Sequence, residues 1–377
     1  MPYSYSHAVD QIERLYPKER IEASKARYRA VWNLERPESI PFALMFTPFE
    51  HRFGPKIAEA GYPPEDMLEY ILEGILARGD LLDDYVPTLS PGLRQGLIPT
   101  AYGAEEIWDG DHYWVKPMIQ TAAEFLALPR PDFMRAGVAA KILADTRFYR
   151  KATEGRLPIQ MPDMQGPLDL ASNFLGTERL IEEMYDHPED VEAMLAQMAE
   201  DFIAFMRLEQ EAAGGDLVPI HCHPMIWLPP DRGMAASEDL LAVISPRLYP
   251  RFGVPFNERI AQAFGNVILH SCGSIEHNLK PLAETRGLLG INFGVSETDI
   301  HKVAERFGSR IVIVVHGTPV TCNNLPRLDP YQFVDEVFGF IKEQDLRVIA
   351  ILRPAEGMDH KDCVDLSRYA REKAKWD

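Results

Sequence analysis

The sequence predicts an α/β protein: a (β/α)8 barrel with an N-terminal helical extension and insertions after the second, third and fourth strands. Three observations predict it. Eight short apolar runs recur along the 377 residues, most of them continuous rather than alternating, as strands buried on both faces are. Helical patterns separate most of these runs, and the spacing becomes regular in the second half, which is the rhythm of a parallel sheet. Histidines gather where the runs end, and in a parallel barrel the reactive side chains stand at the C-terminal ends of strands.

Taken in order, a charged helical stretch at 17–33 stops before Pro37. The apolar runs follow at 41–46, 85–89, 158–164, 217–223, 267–272, 288–293, 311–316 and 348–352. The clearest helix lies at 188–213, where Val191, Met194, Leu195, Met198, Phe202, Phe205 and Met206 keep helical spacing and Gly214-Gly215 ends it. Its methionines read as core fillers. Helices are also expected at 276–286 and 298–307, and a last one begins near Asp362. Leu228-Pro229-Pro230 reads as an ordered loop. A doubly wound open sheet is the alternative, but it brings a glycine-rich loop after its first strand, and Thr47-Pro48-Phe49-Glu50 is not one.

The hydrophobic fraction of 46% supplies a large core, and the length suits one barrel domain over 1–377, with 1–40 as its extension. A net charge of −18 argues against nucleic acid and anionic membrane surfaces as partners. Cys222, Cys272, Cys322 and Cys363 contain no C-x-x-C pair and do not form a disulfide framework, which suits a reducing compartment. The N-terminus lacks a basic stretch followed by an apolar segment, and no apolar run approaches membrane-spanning length. The cytoplasm is the expected compartment.

The chemistry concentrates in His270-Ser271-Cys272-Gly273. Residues two apart on a strand point to the same side, so His270 and Cys272 should project together, imidazole beside thiol, where the loop begins. These are two ligand types that zinc prefers. Strand four ends in His221-Cys222-His223, strand seven in His316-Gly317, strand three in Asp163-Met164-Gln165, and strand eight runs into Arg353-Pro354-Ala355-Glu356-Gly357. Four of the 11 histidines thus stand on one rim. A metal site is one explanation; neutral histidines bonding a polar substrate is the competing one. Glu356 is the preferred third ligand, then His223, with Cys363 behind it because it sits inside the last helix. Cys222 points away from its histidine neighbours and reads as structural, and Cys322 as a rim thiol. His223, His316 and Asp163 are candidates for proton transfer, and His221, Gln165 and Asn292 for substrate contact.

With those residues placed, the chain resembles the uroporphyrinogen decarboxylase-like superfamily, and within it the corrinoid-linked zinc methyltransferase branch. The resemblance runs from Arg20-Ile21-Glu22-Ala23 and Glu35-Arg36-Pro37-Glu38-Ser39-Ile40-Pro41, through Gln165-Gly166-Pro167-Leu168-Asp169-Leu170, Ser237-Glu238-Asp239 and Ile244-Ser245-Pro246, to His270-Ser271-Cys272-Gly273. It implies a zinc ion on His270 and Cys272, a small O-, N- or S-methyl substrate, and a partner protein carrying a corrinoid (cobalamin) whose cobalt exchanges the methyl group. The true decarboxylases carry an arginine-rich segment after strand one, and Met45-Phe46-Thr47-Pro48-Phe49-Glu50-His51 has none. The coenzyme M methyltransferases place another cysteine after strand eight, where this chain offers Glu356. A lyase acting on a carboxylated substrate is the alternative activity, and a tetrapyrrole-binding protein without turnover is a third.

Overall fold

Helices Tyr5–Leu15 and Lys18–Trp32 open the chain, the second where the charged stretch at 17–33 places it. The first buries Ala8, Val9 and Ile12 along one face, and Ser4 caps it by accepting the His7 N–H. Trp32 is fully buried and its Nε1 donates to the Trp227 carbonyl at 2.9 Å, which ties this extension to the strand-end loops. The computed structural model describes residues 3–45, 63–92, 96–109, 112–220, 225–317 and 329–376.

The strands are β1 Phe42–Leu44, β2 Glu106–Asp109, β3 His112–Val115, β4 Ile159–Gln160, β5 Leu217–Val218, β6 Met234–Ser237, β7 Val267–His270, β8 Leu288–Gly294, β9 Val312–His316 and β10 Val348–Leu352. Six of them form a parallel sheet in the order β1-β10-β9-β8-β7-β6. β4 and β5 pair in parallel separately, and β2 and β3 make an antiparallel ribbon inside the insertion that precedes β4. β9 and β10 are buried throughout, as continuous apolar strands require.

Among the described residues the expected eight strands do not make one continuous ladder, and the sequence shows why. Side-chain carboxylates take backbone donors of β1: Asp83 Oδ2 accepts the Leu44 N–H at 2.9 Å and Asp84 Oδ2 the Phe42 N–H at 3.1 Å. The run at 85–89 therefore contributes only a single bridge, Leu89 to Ile159. Pro162 and Pro219 have no N–H to give a ladder, and β4 and β5 end before them. Individual bonds span the gaps: Asp84 N to Phe42 O, Leu89 N to Pro158 O, Ala235 N to Pro219 O and Ser237 N to Met164 O. The sequence does not predict β6. Met-Ala-Ala-Ser lacks the β-branched and aromatic residues that mark strands, and its pairing with β7 decides its conformation.

The helix at Pro188–Ala212 buries every residue of its predicted stripe, and Gly214 and Gly215 follow with φ of +64° and +82°. The expected helix at 276–286 is only the short turns Glu276–Asn278 and Leu279–Leu282; Pro281 brings no N–H to a longer ladder. No helix among the described residues is long and apolar enough to cross a membrane.

Candidate metal centre at adjacent strand ends

The register of the sheet sets Ser237, His270 and Asn292 side by side at the ends of β6, β7 and β8, with His316 opposite Gly294 on the next strand. His270 and Cys272 project together as their spacing requires, with Nε2 and Sγ 3.4 Å apart. The third member of the group is Asp239. Its Oδ1 lies 3.9 Å from His270 Nε2 and accepts the backbone N–H of Cys272 at 2.7 Å. One ligand atom from each of Asp239, His270 and Cys272 falls within 4.8 Å of the others.

These separations suit a tetrahedral ion. Bonds of about 2.0–2.3 Å to nitrogen, oxygen and sulfur leave neighbouring ligand atoms roughly 3.3–3.8 Å apart; the 3.4 Å between Sγ and Nε2 falls in that range, and the 3.9 Å between Nε2 and Oδ1 lies just above it. The mixed imidazole, thiol and carboxylate set matches the donors zinc accepts. Cys272 is exposed, so one side of the group faces outward, as an exchangeable position requires.

The surrounding chain holds each of the three residues in place. Asp169 is buried in the first turn of helix Pro167–Leu175, and its carboxylate accepts the Asp239 and Leu240 N–H groups at 2.6 and 2.8 Å. Burial, then the neighbouring charge of Asp239, pushes its carboxyl well above the usual range. Glu238 donates its N–H to the His270 carbonyl at 2.7 Å. Its own fully buried carboxyl, pushed up to about 7 by burial, accepts from Tyr249 Oη at 2.7 Å and Asn257 Nδ2 at 2.8 Å. After Cys272 the chain turns at Gly273, φ +83°. Thr298 Oγ1 fastens that turn by donating to the Gly273 carbonyl and accepting the Ile275 N–H.

Behind the ligands, Asn292 stands between two histidines. Its Oδ1 is 2.5 Å from His270 Nδ1, and its Nδ2 is 2.9 Å from the Val314 carbonyl and 3.4 Å from His316 Nδ1. The two imidazole rings stack 6.2 Å apart. His316 is buried, and burial, then the His270 and Arg353 charges, holds its pKa well below the ordinary histidine value. It is a neutral imidazole at neutral pH.

The structure thus gathers His270, Cys272, Asn292 and His316 from the residues singled out in the sequence. Gln165 is buried and forms a bridge with Ser237, one strand from His270; Asp163 is half-buried just before it. Glu356 is exposed in the turn after β10 and is not part of the three-residue ligand group. Cys363 is buried in helix His360–Lys373. His221, His223, Cys222 and Cys322 lie outside the described residues. Asp239 follows β6, a strand with no sequence signature, and begins the short turn Asp239–Ala242. Nothing local in Ser237-Glu238-Asp239 places it beside residue 272.

Residues 98–321 match the uroporphyrinogen decarboxylase (URO-D) family. The chain belongs to that family. A comparison with curated proteins finds no match. Among solved structures, a methyltransferase from Methanosarcina mazei is similar in fold, with a TM-score of 0.65 and 19% identity over 93% of this chain and 98% of that one. A GH18 chitinase from Pseudoalteromonas aurantia is also found, with a TM-score of only 0.38 and 11% identity over 74% of this chain and 98% of that one.

Proposed function

We propose that the chain is a zinc-dependent methyltransferase that moves a methyl group between a small O-, N- or S-methyl compound and the cobalt of a corrinoid protein. The observation that carries this reading is the Asp239, His270 and Cys272 group, three donors of different chemistry at ligand separations with one open side. The family match and the likeness in fold to a methyltransferase support it. Asp239 takes the third ligand position in preference to Glu356, with His223 the candidate for a fourth. A zinc ion held there would supply a Lewis acid that makes a substrate heteroatom a better leaving group, or a thiol a better nucleophile.

The chain's own residues do the rest. Cys272 contributes a thiol whose backbone is fixed to Asp239, so the pair is set before any ligand arrives. One carboxylate and one thiolate on a divalent ion leave it more electron-poor than two thiolates do, which suits a methoxy oxygen or an amine as well as a sulfur. His316, neutral and buried, is a hydrogen-bond partner or proton carrier near the mouth; His221, Gln165 and Asp163 are left to contact or orient substrate, and His223 to proton transfer where it is not a ligand. This reading takes the chain as one cytoplasmic barrel domain over 1–377 with 1–40 as its extension, supported by the backbone bonds that span the gaps in the sheet.

The alternative is a lyase that removes a carboxyl group from its substrate, favoured by the family match itself. The arginine-rich segment that the sequence lacks after β1 weighs against a porphyrinogen substrate. Metal analysis decides between them. Zinc near one per chain, falling in His270→Ala, Cys272→Ala and Asp239→Ala, together with methyl transfer to or from free cobalamin, is the expected result. Protein that takes up no zinc when it is offered back would overturn the methyltransferase reading.

A further inference from the structure

We infer that Asn292 is a positioning residue, not a substrate contact, and that its one amide holds His270 and His316 in opposite tautomers. The orientation of the amide follows from a partner that admits no choice. The Val314 carbonyl can only accept, so the group 2.9 Å from it is the amide NH2. The carbonyl oxygen of the same side chain therefore faces His270 Nδ1 at 2.5 Å. Two acceptors cannot share that distance, and Nδ1 carries the proton. In the ring that carries one proton, Nε2 then holds the lone pair, and it is the nitrogen that faces Cys272 Sγ and Asp239 Oδ1.

The same NH2 faces His316 Nδ1 at 3.4 Å. A proton on that nitrogen would set two donors against each other, so His316 carries its proton on Nε2. That atom points to the space left by Gly294, whose missing Cβ would lie 3.2 Å from His316 Nε2 and 2.6 Å from Glu297 Oε2. A single amide thus makes one histidine an acceptor towards the ligand group and the other a donor on the far side. The residue is only 6% exposed, so little of the amide is open to water.

The use made of His270 as an acceptor rests on the metal reading above; the tautomers themselves do not. Two-bond proton–nitrogen correlation spectra of metal-free protein, labelled with nitrogen-15 histidine, separate the two forms. His270→Gln and His316→Gln assign the signals. Expected in the unsubstituted chain are Nδ1–H for His270 and Nε2–H for His316. In Asn292→Asp, which keeps an acceptor and loses the donor, His270 should be unchanged and His316 should reverse to Nδ1–H. Zinc affinity measured against a competing chelator should fall about 10- to 100-fold in Asn292→Leu. A His270 protonated on Nε2, a His316 protonated on Nδ1, or an Asn292→Asp spectrum identical to that of the parent overturns the inference. The expected tautomers in protein that binds no zinc would uphold it and sink the zinc reading instead.

Discussion

Asp169 holds Asp239 by its backbone: the two oxygens of the Asp169 carboxylate accept the N–H groups of Asp239 and Leu240, and Asp239 Oδ1 in turn accepts the N–H of Cys272. Three segments far apart in the chain are linked by two carboxylates. The Asp239, His270 and Cys272 group is therefore built from the helix at Pro167–Leu175 outward. Asp169→Asn leaves only one acceptor oxygen for two donors. We expect a loss of about 1–2 kcal/mol in stability and weaker zinc binding, although residue 169 is not a ligand. Unchanged zinc affinity in a stably folded Asp169→Asn protein would show that this linkage does not position the site.

Asp239 and Glu356 offer the same functional group in different places. Asp239→Asn should lower zinc affinity at least about 10-fold, while Glu356→Gln should leave it within error of the parent. Chelator competition on both variants compares them directly. The reverse ranking would return the third ligand to the turn after β10.

The space at Gly294 is needed by its neighbours. An alanine there would bring its Cβ to 2.6 Å from Glu297 Oε2 and 3.2 Å from His316 Nε2. Gly294→Ala should displace one or both side chains at a cost of about 1–3 kcal/mol, seen as a lower melting temperature and shifted His316 resonances. Retention of both would mean that Glu297 swings aside freely.

Away from the site, Glu209 gives the chain a pH dependence. Its side chain is buried, Oε1 accepts from Thr146 Oγ1 at 2.6 Å, and Oε2 has no partner among the described residues. Burial pushes its carboxyl up to about 7, above the value of an unfolded chain. The folded state then holds the proton over a range where the unfolded state has released it. Stability contributed by this group is therefore full at low pH and lost as pH rises from about 4.5 through 7, by up to about 3 kcal/mol. Glu209→Gln should flatten that part of the melting-temperature profile, and an unaltered slope would assign the dependence to other groups.

The two described cysteines should differ sharply in reactivity. Burial pushes the Cys363 thiol up to about 11, whereas Cys272 is exposed. Alkylation of native metal-free protein at pH 8, read peptide by peptide, should modify Cys272 and spare Cys363, and added zinc should slow the first reaction. Labelling of both at similar rates would contradict the buried position of Cys363.

Much of the parallel sheet was legible because buried strands need continuous apolar residues, a requirement that Val312–His316 and Val348–Leu352 meet by composition alone. The stripe on Pro188–Ala212 was readable for the same reason, since helical spacing must match the face that packs. The run at 85–89 was less so. Its pairing is cut short by Asp83 and Asp84, whose carboxylates take the donors of Phe42 and Leu44, and side-chain competition for backbone groups has no periodic signature.

What the sequence by itself determined was local: the alternation that sends His270 and Cys272 to one side, the proline and glycine breaks, and the family to which the chain belongs. Only the tertiary structure decided that Asp239 stands within ligand distance of them and that Asn292 stands between two histidines. Those relations cross from one strand to its neighbour. Sheet register sets them, and register arises from the packing of the whole core, not from any single segment.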